Sequence, residues 1–270
     1  MCATEVAALL RPPRKPVGDA AAEPAPRFAS TLPTAASALP AAAPMLPAQV
    51  PVPPSAARHG PRPHAPDKAA IDDLPPFPSM RQERIVVPQS AADFAAAADA
   101  LLREQYVGFD TESKPTFVKG EAATGPHVVQ FATAERAYLF QVHRSEGRGA
   151  LAAVLGSTAP VKVGFGLRSD RGHIRARLGA PLNAVLDLTT WFHTQGYRNE
   201  IGVRTAVAIV MGQRFVKSKR WSTSNWAAAT LSEGQCLYAA NDAWGAIAVL
   251  NALLAQGVRE VDLPVIERSA

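Results

Sequence analysis

Cysteine is almost missing from this chain of 270 residues: there are two, Cys2 and Cys236. One lies in an Ala/Pro-rich segment and the other in a segment that reads as helix, so no disulfide framework is expected. No Cys and His stand at the spacing of a zinc site. Long apolar runs are missing too, since none approaches the roughly 18 residues of a membrane span. The first residues, MCATEVAALLRPPRKP, lack the order of a secretory signal, because AALL is short and the basic cluster follows it. The expectation is a cytoplasmic protein without a membrane partner. There is no internal repeat. Charge of one sign does not dominate: 28 Lys and Arg face 23 Asp and Glu, and the pI is about 9.5. That mild basic excess is compatible with an anionic partner such as nucleic acid.

Alanine and proline are abundant, and they are concentrated at the start. Up to about Met80 the chain shows neither a helical nor an alternating period, and repeated Pro blocks both helix and ladder. It reads as a disordered, partly polyproline-like tail over residues 1–80. From Arg84 the texture changes. RIVV reads as a short strand, and SAADFAAAADALLREQ as an amphipathic helix opened by a Ser90/Asp93 capping box. YVGFDTE, HVVQFAT and AYLFQV read as strands, the last two as a hairpin. GALAAVLGS reads as a helix, VKVGFG as a strand leading to a helix over Asp170–Leu178, and NAVLDL as a short strand. GVRTAVAIVMG is apolar at helical spacing, and a capping box at Thr230 and Glu233 is expected to open a long last helix. Paired strands followed by alternating strands and helices suggest an α/β fold, a mixed sheet covered by helices. The domain is placed at 81–262, followed by a C-terminal tail at 263–270.

The chemistry begins with VGFDTE, an apolar strand that stops at Asp110 and Glu112. Residues i and i+2 of a strand share a face, so these carboxylates stand side by side and repel unless a cation or proton lies between them. A strand simply ending in solvent would look the same. VKVGFGLRSD repeats the pattern, with Asp170 in a first helical turn, where the helix dipole alone would favour an acid. In YAANDAW, Tyr238 and Asp242 are i and i+4 on one helix face. The surroundings there are apolar, and a buried Asp needs a partner. Either a neighbouring Tyr or Arg fills that role, or the Asp is a metal ligand with a phenol beside it. Four carboxylates converging in one pocket would call for hard cations, magnesium or manganese. Two such ions are a known device for phosphodiester cleavage, and Tyr238 would then aim the attacking water.

FDTE, KVGFGLRSD and YAAND, in that order, resemble the three motifs of the DEDDy 3′–5′ exonucleases. This is the superfamily of ribonuclease D and of DNA polymerase proofreading domains, with an RNase H-like fold. The branch most resembled is that of the Werner syndrome helicase exonuclease domain and its bacterial relatives. Pro115 follows Glu112 by three, SNWAAATLSEGQCLYAANDAW is similar to that branch's third motif, and Tyr238 lies four residues before Asp242. The resemblance covers roughly Arg84 to Gln256. It implies that Asp110, Glu112, Asp170 and Asp242 hold two Mg²⁺ or Mn²⁺ ions and that Tyr238 orients the water. The implied reaction is removal of nucleoside 5′-monophosphates from the 3′ end of DNA or RNA. Ser113 and Lys114 depart from the bulkier residues of the helicase branch, which leaves the preference for paired or single-stranded ends open.

RFVKSKRWSTSNW supplies candidate phosphate contacts in Lys217, Lys219 and Arg220, while Trp221 suits a core position or base stacking. Thr111 could hold the terminal nucleotide or simply pack. His173 could touch the pocket rim. Asp187 reads as a supporting acid and Cys236 as a small core residue. Three other readings fit the same chain: an enzyme for very short RNA, a non-catalytic nucleic-acid-binding module on this fold, and a scaffold working through its Pro-rich tail. The oligomeric state is not legible.

Overall fold

The structure is a computed structural model that describes residues 63–116 and 124–266. Most of the expected tail, up to residue 62, lies outside the described residues, as do residues 267–270. Residues 63–80 are described and carry a short helix, α1 (Lys68–Asp72), capped by the Asp67 carboxylate. They also send Phe77 and Met80 into the core. They therefore belong with the folded part and not with the tail.

Seven strands form one mixed sheet: β1 (Ile85–Val86), β2 (Tyr106–Glu112), β3 (Val128–Ala132), β4 (Ala137–Gln141), β5 (Val161–Gly164), β6 (Val185–Asp187) and β7 (Val265–Ile266). Their spatial order is β1-β4-β3-β2-β5-β6-β7. The hairpin of β3 and β4 is antiparallel as expected, and β3 is antiparallel to β2. β2, β5 and β6 run parallel. The ends of β2, β4, β5 and β6 and the start of β3 therefore lie along one edge, where a sheet with crossover helices places its binding residues. β7, within the expected C-terminal tail, adds antiparallel to β6.

Helices cover both faces. One carries α2 (Ala91–Leu101), α3 (Arg148–Gly156) and α4 (Arg168–Leu178), whose Phe94, Leu101, Leu151, Val154 and Ile174 pack with Val107, Phe109 and Phe131 of the sheet. The other carries α5 (Leu188–Thr194), α6 (Val203–Met211) and α8 (Glu233–Ala255), which pack through Trp191, Phe192, Val207, Ile247 and Leu250. The short α7 (Lys219–Ser222) precedes α8. α2 begins with the expected Ser90/Asp93 box. The box that opens α8 is Ser232 with Gln235, two residues later than the expected Thr230 and Glu233. Ser232 has the extended backbone of an N-cap, and its hydroxyl accepts from the Gln235 N–H. α8 has the length and mean hydropathy, 1.2 over its best stretch, of a membrane span, but 61% of that stretch is buried within the protein.

α8 approaches β2 at Gly108. A Cβ there would stand 1.9 Å from the Ala243 carbonyl oxygen, so only glycine permits the contact. This close approach brings the middle of α8 onto the end of β2.

Candidate active site

Strand alternation decides which acids meet. Gly108, Asp110 and Glu112 share the face on which α8 lies, while Phe109 and Thr111 face the other helices. Asp242 comes down from α8 onto the first group. One carboxylate oxygen from each of Asp110, Glu112 and Asp242 lies within 4.8 Å of the other two. Asp170 arrives from α4 on the opposite face, and the Thr111 hydroxyl donates to it. The structure thus gathers three acids tightly and holds the fourth at their border, where its charge still bears on Asp110 and Glu112. Thr111, expected either to meet a nucleotide or to pack, instead fixes Asp170. Its backbone N–H also donates to Asp110 Oδ1 at 2.9 Å.

The pocket crowds carboxyl groups where water is scarce, and that opposes their ionisation. Burial, reinforced by Asp242, raises Asp110 to about 8. Burial, reinforced by Asp110 and Asp242, raises Glu112 to about 9. Burial also raises Asp242 and Asp170. Among the described residues, one ammonium answers Asp110, Glu112 and Asp242. The Lys217 ammonium stands 2.7 Å from Asp242 Oδ2, and its side chain is still 38% exposed. It also lies 5.3 Å from the centre of the Tyr238 ring. Burial acts to lower the Lys217 pKa, but Asp242 and Asp110 outweigh it and the net shift is upward. Lys217, expected to grip phosphate from a surface loop, is therefore the counter-ion of Asp242. The sequence reading offered Tyr or Arg for that place and missed the lysine, because the loop that carries it shows no period.

Tyr238 is buried beside Asp242, and burial with the nearby carboxylates pushes its phenol upward. Trp226 braces it at 5.9 Å between ring centres. The rest of the SNW lead-in is also structural: Ser224 Oγ and the Asn225 carbonyl accept from Gln235 Nε2, tying the loop to the start of α8. Asp187 supports the site as expected. Its carboxylate accepts from the Gly166 and Leu167 N–H groups at 3.0 and 2.9 Å and so shapes the turn that delivers α4. His173 is exposed but near enough for its charge to act on Asp170.

Lys219 and Arg220 lie exposed on α7, outside the carboxylate cluster. Arg220 stacks over Trp221, whose ring occupies the space a side chain at Gly234 would need. A cavity of about 210 Å³ opens beside the cluster, lined by Asp110, Asp242, Lys217, Thr189, Glu200 and Phe165. Glu200 and Thr189 were not legible as site residues, for neither belongs to a spaced pattern.

Buried carboxylates with raised pKa and an all-oxygen donor set fit a hard divalent cation, which would supply the missing positive charge. Asp110, Glu112 and Asp242 are placed to hold one, and Asp170 could contribute from the border.

A family model described as 3′–5′ exonuclease matches residues 85–257. The mouse (Mus musculus) bifunctional 3′–5′ exonuclease/ATP-dependent helicase WRN is 28% identical over 150 residues, 54% of this chain and 11% of that protein. The chain therefore spans about a tenth of this relative's length. The Nibbler EXO domain of Aedes aegypti superposes with a TM-score of 0.56 at 23% identity, covering 66% of this chain and 90% of that one. Trypanosoma brucei RNase D in complex with RNA U12 gives a TM-score of 0.56 at 18% identity, with 72% and 66% covered. The two structural likenesses establish the fold, an RNase H-like exonuclease architecture.

Proposed function

Because this chain belongs to the 3′–5′ exonuclease family, of the DEDDy type, we propose that it hydrolyses phosphodiester bonds from the 3′ end of a nucleic acid with the help of two divalent cations, Mg²⁺ or Mn²⁺. The products would be nucleoside 5′-monophosphates. The observation that carries this reading is the meeting of Asp110, Glu112 and Asp242 next to Tyr238 at the mouth of an open cavity.

The bound cations supply the charge that makes water nucleophilic at neutral pH and stabilises the leaving 3′-oxygen. The chain's own residues do the rest. Asp110, Glu112 and Asp242 would hold the cations, and Thr111 fixes Asp170 at the border of that cluster. Tyr238 retains its proton at neutral pH, because its pKa is raised, so it orients the water as a donor and does not remove the proton itself. Lys217, the present counter-ion of Asp242, would be a candidate donor to the substrate's phosphate once cations shared that carboxylate. RNA is bound in the Trypanosoma complex, whereas the mouse relative is also a helicase, so both sugars belong in the test.

DNA and RNA oligonucleotides labelled at either end should be digested with Mg²⁺, Mn²⁺ or EDTA, beside an Asp110→Ala protein. The expected result is a metal-dependent ladder that shortens from the 3′ end and is lost in the variant. Binding without digestion under either metal would replace the enzyme by a binding module.

A further inference from the structure

The sheet edge that carries the acids continues into a basic stretch. The His127 N–H donates to the Glu112 carbonyl at 2.8 Å, and the Val142 N–H donates to the His127 carbonyl at 2.9 Å. The ends of β2, β3 and β4 therefore lie side by side, and with strands ~4.8 Å apart the β4 end is roughly 10 Å from Glu112. Lys114 follows Glu112, and its N–H donates to His127 Nδ1 at 3.1 Å. His143 follows Val142. α4 spans the same distance: its first turn carries Asp170, and its last turn carries Arg177, ~10 Å further on at 1.5 Å per residue.

Where α4, α3 and the end of β4 meet there is a cavity of about 140 Å³, lined by His143, Arg148 and Arg177 over a floor of Val142, Leu151 and Leu178. His143 and the two arginines are exposed. None of the six ion pairs among the described residues uses them or Lys114. Glu146, the acid of that turn, is met by the Ser145 hydroxyl at 3.4 Å. The same groups bear on His127, which burial and then Arg177, Lys114 and His143 push downward. Exposed charges of one sign that lack counter-ions mark a surface for the opposite sign. Their alignment with the acids along one edge suits a polyanion that enters the acidic pocket by its end.

We propose that this edge is a track for the phosphodiester backbone. The strand whose 3′ end lies at Asp110 and Asp242 passes Lys114 and seats a phosphate in the cavity between His143, Arg148 and Arg177. The track rests on the exonuclease reading for its polarity. At ~3.4 Å per stacked nucleotide the cavity is roughly three nucleotides from the reacting bond. A dinucleotide would not reach it and a hexanucleotide would, so the enzyme is built for chains longer than a dinucleotide.

The test is binding as a function of length. The full chain carrying Asp110→Asn, which prevents digestion, is titrated with labelled single strands of two to twelve nucleotides. Affinity should rise at least tenfold between two and six nucleotides and then level off. With Arg148→Ala and Arg177→Ala added, that rise should vanish, and the steepness of log K against log salt should fall by about 0.7, the value for one single-strand phosphate. Arg148→Lys with Arg177→Lys should keep most of the rise and controls for misfolding, alongside the melting temperature. A length dependence that survives the double alanine variant overturns the track even if digestion from the 3′ end is confirmed. Loss of the length dependence in the double alanine variant, with no digestion by the protein that keeps Asp110, upholds the backbone track and removes the exonuclease reading and the polarity taken from it.

Discussion

The acidic pocket and the basic edge are neighbours on one end of the sheet, yet they treat charge in opposite ways. In the pocket, carboxyl groups are packed within 4.8 Å of one another, half-buried at Asp110 and Glu112 and buried at Asp242, and are answered by one ammonium among the described residues. On the edge, His143, Arg148 and Arg177 stay in water with no ion-pair partner among the described residues. Like charges in water cost little, whereas like charges under a helix oppose folding strongly. The pocket's repulsion is held by covalent and packing constraints from β2, α4 and α8 together, so it is ready for cations at fixed places. The edge needs no such support, and it suits affinity better than chemistry.

The sharpest way to break this contrast is to add one methyl group to each region. Gly108→Ala puts a Cβ 1.9 Å from the Ala243 carbonyl oxygen, a backbone atom that cannot step aside. We expect a loss of about 3 kcal/mol or more, the upper end of overpacking costs. Gly172 lies inside α4, and a methyl group added to it would meet nothing within 4 Å. Gly172→Ala should therefore stabilise the protein by up to about 1 kcal/mol through helix propensity alone. Chemical denaturation of the two variants measures both, and equal effects would refute the account of how α8 is seated.

Tyr238→Phe comes next. It keeps the ring against Trp226 and removes only the hydroxyl beside Asp242. We expect kcat to fall about 100-fold, the lower end for positioned proton-handling groups, with KM and metal affinity little changed. A rise in KM with kcat preserved would place Tyr238 with the basic edge, as a binding group.

Much of this contrast was legible in the sequence, but unevenly. The span Tyr106–Glu112 is the strand that the apolar run of VGFDTE indicates, and α8 covers the predicted long helix. Regular elements announce themselves because their periods repeat over many residues. The acids were legible as a set because Asp110, Glu112 and Asp170 sit where a regular element ends or begins, and Asp242 shares a helix face with Tyr238. Their unequal partition was harder to see, since it depends on Thr111 and Asp170 reaching each other from different elements. Lys217 and Glu200 come from irregular loops, and Lys162 from an apolar strand. Lys162 is fully buried and bonds the Ser157 and Pro160 carbonyls, and burial lowers it to about 8. Nothing local in VKVGFG distinguishes such a lysine from an exposed one.

The smallest expected effect separates the two regions by their response to pH. Asp110 at about 8 and Glu112 at about 9 lie far above their unfolded values near 4. In the metal-free protein the folded chain keeps these protons where the unfolded chain has released them. Stability therefore falls as pH rises and levels off only past the folded values. His127, pushed down, acts with the opposite sign, but only below its unfolded value near 6.5. Lys217, pushed up, loses its contribution only far above neutrality. Between pH 7 and 8 in EDTA the melting temperature should drop by a few degrees, and Asp110→Asn should make the drop shallower. Arg148→Ala should leave it as it is. Raising the salt should change it less than it changes nucleic-acid affinity at the exposed basic edge, because the acids are at least partly buried. Equal slopes in wild type and Asp110→Asn would mean that Asp110 holds no proton in that range, and that the pocket is wetter and less poised for cations than its packing indicates.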